Sequence, residues 1–196
     1  MNFLSEKKEF QSLASQFGGI RQLAFVPADF DSALKFWTEV MGVGPFFYLE
    51  HIPLHNVRYR GELIDYDCSA AIAFWGDIEI ELLRQHNEGD SILTEWLRSG
   101  REGLHHVRIQ ADDFEEGRRA FEALGAEPVQ EAALPGGSAY IMYDMKGDGP
   151  IVEMSWLDPQ FEQLFAYMKR AAKEWDGQDP LRPIPPEEEW AGKEKA

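Results

Sequence analysis

The chain carries an internal repeat at an offset of 84 residues, and that repeat limits its architecture more than any other feature. Residues 19–41 read GIRQLAFVPADFDSALKFWTEVM, and residues 103–125 read GLHHVRIQADDFEEGRRAFEALG. Gly19 aligns with Gly103, Ile20 with Leu104, Gln22 with His106, Asp29 with Asp113, Phe30 with Phe114 and Trp37 with Phe121. A segment repeated once in a chain of 196 residues implies two copies of one supersecondary unit, each burying a face against the other.

Each copy opens on an apolar strand, Gln22–Val26 in the first and His106–Gln110 in the second. Asp29 and Asp113 then stand where helix N-caps are expected. Phe30, Leu34 and Trp37 fall on one face of the first helix; Phe114, Ala120, Phe121 and Leu124 do so on the second. Gly42 and Gly125 provide exits. Further strands are expected at Phe46–His51, Cys68–Phe74 and Ile78–Leu83, and at Glu127–Ala132, Ala139–Asp144 and Ile151–Trp156. Breakers at Gly76–Asp77 and across Lys146–Gly147–Asp148–Gly149–Pro150 separate the last two strands of each copy.

The expected fold is therefore α+β: two paired βαβββ modules around a cleft, with helical terminal extensions. In residue terms these are an accessory segment 1–18, a first module 19–89, a linker helix 90–102, a second module 103–157, and a tail 158–196 holding a helix and an acidic, Pro-rich end. Phe3, Leu4, Phe10, Leu13 and Phe17 suit docking of the first segment on a surface. Phe161, Leu164, Phe165 and Met168 suit an amphipathic helix after Asp158–Pro159. Beyond Trp175, Pro and acidic residues favour extended chain. Residues 53–66 are the least regular part of the first module and read as a loop covering substrate.

Four metal-capable side chains recur as two pairs. Gln22 and His106 occupy equivalent positions on the first strands, while IELL and VEMS place Glu81 and Glu153 at equivalent positions on the last strands. Imidazole nitrogen, amide oxygen and two carboxylates suit a five- or six-coordinate divalent ion, Zn, Ni, Co, Mn or Mg. A glutamate in an otherwise apolar strand is costly unless it is paired or neutralised, and both Glu81 and Glu153 are in that position.

Other residues qualify for the same cavity. Glu79 shares strand parity with Glu81, and Glu50 is a second unligated acid that could serve as a base. Arg108 lies two residues from His106, placed either to bind a substrate carboxylate or phosphate or to pair with the cavity glutamates. His105 points to the opposite face and reads as structural. His51 and His55, with Arg58 and Arg60, either close over a polar substrate or form a solvated loop. Phe46, Phe47, Tyr48, Phe74 and Tyr143 are core residues that also qualify as pocket lining. Cys68 reads as a small buried thiol with no nucleophilic partner.

The starts GIRQLAFV and GLHHVRIQ, with the later strands IEIELLRQ and GPIVEMSW, resemble the glyoxalase, bleomycin-resistance and extradiol-dioxygenase superfamily, also called vicinal oxygen chelate, over residues 19–157. The resemblance implies metal ligands on the first and last strands, matching Gln22, Glu81, His106 and Glu153. The set is similar to that of zinc-using glyoxalase I and of methylmalonyl-CoA epimerase, which makes zinc the first choice of metal. It departs from the two histidines and one glutamate of the extradiol dioxygenases, since Gln22 stands in place of a histidine. By the same resemblance Glu153 is the first candidate for proton-transfer base, with Glu81 second.

The expected activity is that of a metal-dependent isomerase, epimerase or lyase. Its substrate would be a small 2-oxo, hydroxycarbonyl or thioester compound, and proton transfer would pass through a metal-stabilised enolate. A non-catalytic binding or resistance protein and a metal-dependent hydrolase are the alternatives. A formal charge of −16 argues against nucleic acid and against an anionic membrane surface. One cysteine and the absence of a long apolar stretch point to a cytoplasmic setting. The amphipathic terminal segments make a homodimer an expectation alongside a monomer.

Overall fold

A computed structural model describes residues 13–146 and 149–191. Phe3, Leu4 and Phe10, and two residues of the second breaker, Gly147 and Asp148, lie outside the described residues. The repeat is realised as two copies of one strand order. In the first half, β1 (Gln22–Val26), β2 (Phe46–Leu49), β5 (Cys68–Trp75) and β6 (Ile78–Gln85) lie in the order β2-β5-β6-β1. In the second, β7 (Gly103–Gln110), β8 (Glu127–Ala133), β9 (Ala139–Asp144) and β10 (Ile151–Trp156) lie in the mirrored order β7-β10-β9-β8. The first and last strands of each half pair in parallel, β1 with β6 and β7 with β10. An antiparallel β1–β7 pair joins the halves into one sheet.

The helices form where the repeat places them. Asp29 caps α2 (Phe30–Lys35) by accepting from the Ser32 amide at 3.0 Å, and Asp113 caps α4 (Phe114–Ala123) by accepting from the Glu116 amide at 2.7 Å. Gly42 and Gly125 follow the helices with φ of 66° and 74°, a left-handed geometry that glycine adopts without steric cost. The first helix departs from expectation in one respect, since from Phe36 to Val40 it widens into a π-helical turn. Within it Thr38 Oγ1 donates back to the Leu34 carbonyl at 2.9 Å, a bond that competes with the regular ladder.

Each helix packs on its own half. Phe30 and Trp37 join Val43, Phe46, Ala71, Ala73, Ile80 and Leu82 in one core. Phe121 stacks on Tyr143 with ring centroids 4.3 Å apart in a second core, against which Leu13 and Phe17 of α1 (Leu13–Phe17) pack. The linker forms α3 (Ile92–Arg98), whose start is held by a capping box between Ser91 and Thr94.

Two segments are more ordered than the sequence suggests. The stretch at 53–66 is a hairpin, β3 (His55–Tyr59) and β4 (Glu62–Leu63), that crosses to the second half and pairs with β8. Its turn uses Arg60 and Gly61 at φ of 49° and 85°, the two left-handed residues of a tight hairpin. The acidic tail is also tied down. After α5 (Pro159–Glu174), β11 (Leu181–Pro183) adds in parallel to β2, and α6 (Glu187–Trp190) brings Trp190 against the Phe47, Phe74, Leu164 and Met168 cluster. Among the described residues no helix is long and apolar enough to cross a membrane.

The matched caps generate a test of the repeat as a physical equivalence. Asp29→Ala and Asp113→Ala should each lower unfolding free energy by about 1 kcal/mol in urea titrations. The double variant should lose the sum within about 0.5 kcal/mol, because the helices belong to separate cores.

Candidate functional site

The four central strands carry their polar residues to one cleft. Register sets Gln22 across from Glu79 on one side and Arg108 on the other, Ala24 between Glu81 and His106, and Glu153 beside Arg108. Strand alternation keeps Gln22, Glu79, Glu81, His106, Arg108, Glu153 and Ser155 on the cleft side, and all seven line it.

Glu79 organises the floor. It is 2% exposed, and both its oxygens are taken: Oε1 accepts from Gln22 Nε2 at 2.5 Å and Oε2 from Arg108 Nη2 at 2.7 Å. Arg108 also donates through Nη1 to Ser155 Oγ at 3.3 Å. Burial works against its charge, but Glu79, Glu153 and Glu81 more than offset this and hold its pKa above the ordinary value. With the Gln22 amide nitrogen committed to Glu79, the Gln22 Oε1 atom is left buried without a hydrogen-bond partner.

The second unsatisfied atom belongs to His106. That residue is fully buried, and its Nδ1 lies 3.0 Å from His105 Nδ1, while its Nε2 has no hydrogen-bond partner. The Nε2 atom stands 3.2 Å from Glu153 Oε2 and 3.8 Å from Glu81 Oε2. Burial, followed by the neighbouring His106, pushes His105 down to about 2, so His105 is neutral and packs edge-on against Trp96 at 5.1 Å. In the tautomer in which neutral His105 accepts from His106 Nδ1, the His106 Nε2 lone pair faces the carboxylates.

Glu81 carries the electrostatic strain of the arrangement. Burial first, then the Glu79 and Glu153 carboxylates, raise its pKa well above the ordinary value of 4.5, with Arg108 opposing. Three carboxyl groups, Glu79, Glu81 and Glu153, share the cleft with one guanidinium, which would leave an excess of two negative charges with all three ionised. An unpartnered amide oxygen, an unpartnered imidazole nitrogen and two carboxylates carrying that excess fit a divalent cation, in charge and in donor chemistry.

The remaining candidates are distributed as follows. Arg108 lies in the cleft with its guanidinium already paired to Glu79, and Glu79 itself is fully engaged. Glu50 and His51 stand apart from the cleft, on an exposed bend after β2. The Glu50 carbonyl accepts from Ser69 Oγ, and His51 Nδ1 lies 2.7 Å from Asp67 Oδ1. His51, Asp67 and His86 have ligand-capable atoms within 4.8 Å of one another, away from the cleft lining. His55 is exposed on β3, Arg58 donates to the Gly61 carbonyl, and Arg60 pairs with Glu95. Cys68 is buried, and burial pushes its thiol up to about 12, leaving it inert as the sequence implied.

The aromatic residues singled out in sequence, Phe46, Phe47, Tyr48, Phe74 and Tyr143, pack in the cores or on the outer face instead of lining the cleft. Tyr66, Tyr140, Phe161 and Phe165 line it in their place. The apolar spacing of α5 signalled a docked helix, but nothing in the sequence states that its destination is the cleft.

The family model described as Glyoxalase/Bleomycin resistance protein/Dioxygenase superfamily matches residues 21–143. No curated protein matches the chain. Among solved structures, a hypothetical protein from Bacillus halodurans C-125 is 16% identical with a TM-score of 0.53, covering 71% of this chain and 94% of its own. Methylmalonyl-CoA epimerase from Mycobacterium tuberculosis is also 16% identical with a TM-score of 0.53, covering 78% and 97%. The Streptomyces coelicolor methylmalonyl-CoA epimerase in complex with 2-nitronate-propionyl-CoA is 16% identical with a TM-score of 0.50, covering 72% and 95%. At these identities the likeness is one of fold. With the family model spanning most of the paired halves, the chain belongs to the Glyoxalase/Bleomycin resistance protein/Dioxygenase superfamily.

Proposed function

We propose that the cleft is the active site of a metal-dependent isomerase or epimerase, with lyase chemistry as its near variant. It would act on a small 2-oxo, hydroxycarbonyl or thioester substrate by moving a proton at the carbon beside a carbonyl. The observation that carries this reading is His106 Nε2, unsatisfied and 3.2 Å and 3.8 Å from the Glu153 and Glu81 carboxylates, in a cleft also lined by Gln22 with its Oε1 unsatisfied. Family membership and the shared fold with epimerases support the same class of reaction.

Gln22, Glu81, His106 and Glu153 would hold the ion, zinc first, with Ni, Co, Mn or Mg also suited to nitrogen and oxygen donors. Bound there, a divalent cation supplies Lewis acidity that stabilises negative charge on a substrate oxygen. Glu153 is assigned removal of the proton from carbon and Glu81 its return, since these two carboxylates reach the cleft from different halves of the molecule. Without a cation Glu81 holds its proton above the ordinary carboxylate range; a bound cation would favour its ionised form, so Glu81 would return the proton when released from the ion. Glu79 and Arg108 transfer no proton in this scheme. Their paired side chains fix the floor and keep the Gln22 amide oxygen turned free.

Three outcomes follow. Zinc at a hundredfold its dissociation constant should stabilise the chain by about 2.7 kcal/mol in thermal unfolding, and His106→Ala or Gln22→Ala should remove most of that gain. Metal-loaded protein should exchange the substrate α-hydrogen with deuterium, and Glu153→Gln should slow exchange by roughly 10²- to 10⁴-fold with metal still bound; unchanged exchange would assign the base elsewhere.

The third outcome concerns metal-free protein. A carboxyl raised by folding contributes stability that is complete below its unfolded pKa and is lost as pH climbs through its higher folded value. Stability of chelated protein should therefore fall as pH rises above about 4.5, with a contribution of up to about 1.4 kcal/mol per pH unit. Glu81→Gln should flatten that slope.

A further inference from the structure

The cleft combines a charged floor with apolar walls and an apolar roof. The floor is the polar set described above. The walls and roof come from Ile52, Leu54, Leu157, Phe161, Leu164 and Phe165, so the loop before β3 and the helix α5 close over the centre. Helix α5 follows β10, the last strand of the second half, so its share of this roof comes from outside the paired halves. The cleft volume is about 230 Å³, below the range of about 300–1,000 Å³ typical of pockets for drug-sized ligands.

The charges point the same way. Among the described residues lining the cleft, Arg108 is the single Lys or Arg. Its guanidinium is held by Glu79 at 2.7 Å and by Ser155 at 3.3 Å, and lies 5.8 Å from the Phe165 ring centroid. A carrier bearing several phosphates or free carboxylates would need cations at the cleft and would approach a chain of net charge −16 against its field.

We propose that the cleft selects compact substrates whose body is aliphatic or aromatic and uncharged, with adjacent oxygens as their one polar end, and that it excludes carrier-linked thioesters and peptide conjugates. The adjacent oxygens meet the floor, and the apolar body lies under Phe161, Leu164 and Phe165. This rests on the proton-transfer reading above, because that reading fixes which end of the substrate faces Glu81 and Glu153.

The full chain, loaded with zinc, is to be tested with phenylpyruvate, 4-methyl-2-oxopentanoate, pyruvate, propionyl-CoA and the hemithioacetal of glutathione and methylglyoxal. Binding is read by calorimetry and proton transfer by deuterium exchange. Phenylpyruvate and 4-methyl-2-oxopentanoate should bind at least roughly tenfold more tightly than pyruvate, as burial of their side chains requires. Phe161→Ala should weaken them by a similar factor while leaving pyruvate within about threefold.

Preferential binding or exchange of the coenzyme A or glutathione compound overturns the substrate class and leaves proton transfer standing. Tight, Phe161-dependent binding of the apolar oxo acids without exchange of any probe supports the substrate class and overturns the proposed reaction. Equal binding of all the oxo acids, unaffected by Phe161→Ala, overturns the role of the roof.

Discussion

The antiparallel pairing of β1 with β7 is the contact on which the rest depends, because it is where the two halves become one molecule. Its register puts Gln22 across from Arg108 and Ala24 across from His106, and the parallel pairing of β1 with β6 puts the same Ala24 beside Glu81. Ala24 is fully buried and carries only a methyl group, so His106 and Glu81 can lean toward each other across it. A slip of one residue along this seam would turn its side chains to the opposite face. Fold and site thus share one determinant.

The polar floor is an unusual use of a sheet interior. Taking Glu79 and Arg108 out of water is costly, and a buried ion pair contributes little net stability on its own. Here the pair gives geometric definition. Glu79 spans Gln22 and Arg108, Ser155 receives the other arm of the guanidinium, and the amide of Gln22 is held in one orientation. Among the residues lining the cleft, the buried polar side-chain atoms left without a hydrogen-bond partner are Gln22 Oε1 and His106 Nε2.

The fold was largely legible in the chain because it rests on local periodicity duplicated at a fixed offset. Strand limits at Gln22–Val26, Ala139–Asp144 and Ile151–Trp156 coincide with the structure, and the Asp29 and Asp113 caps form as their positions imply. Convergence of Gln22, Glu81, His106 and Glu153 was legible for the same reason: strand parity and repeat symmetry determine facing. Long-range placement was not. Glu50 and His51 are near the cleft strands in sequence but turn to an exposed bend, and the β3–β4 hairpin lacks the Asn-Gly type of turn that announces such a feature. The amphipathy of α5 reveals a buried face without naming its partner, and so the aromatic residues that line the cleft were found only once the chain was folded.

The crossing of the β3–β4 hairpin changes what kind of duplicate this molecule is. Each half of a simple tandem repeat keeps its own strands, whereas here the first half lends a hairpin to the outer edge of the second. At the other end, β11 from the tail covers β2. Both terminal strands of the sheet are consequently short, two and three residues, leaving little edge on which a foreign strand could be templated. The halves are laced together at their rims as well as at their seam, so neither retains all its neighbours when the other is taken away. Cutting the chain between the halves and parting them would bare β8 and β2 at the rims together with β1 and β7 at the seam.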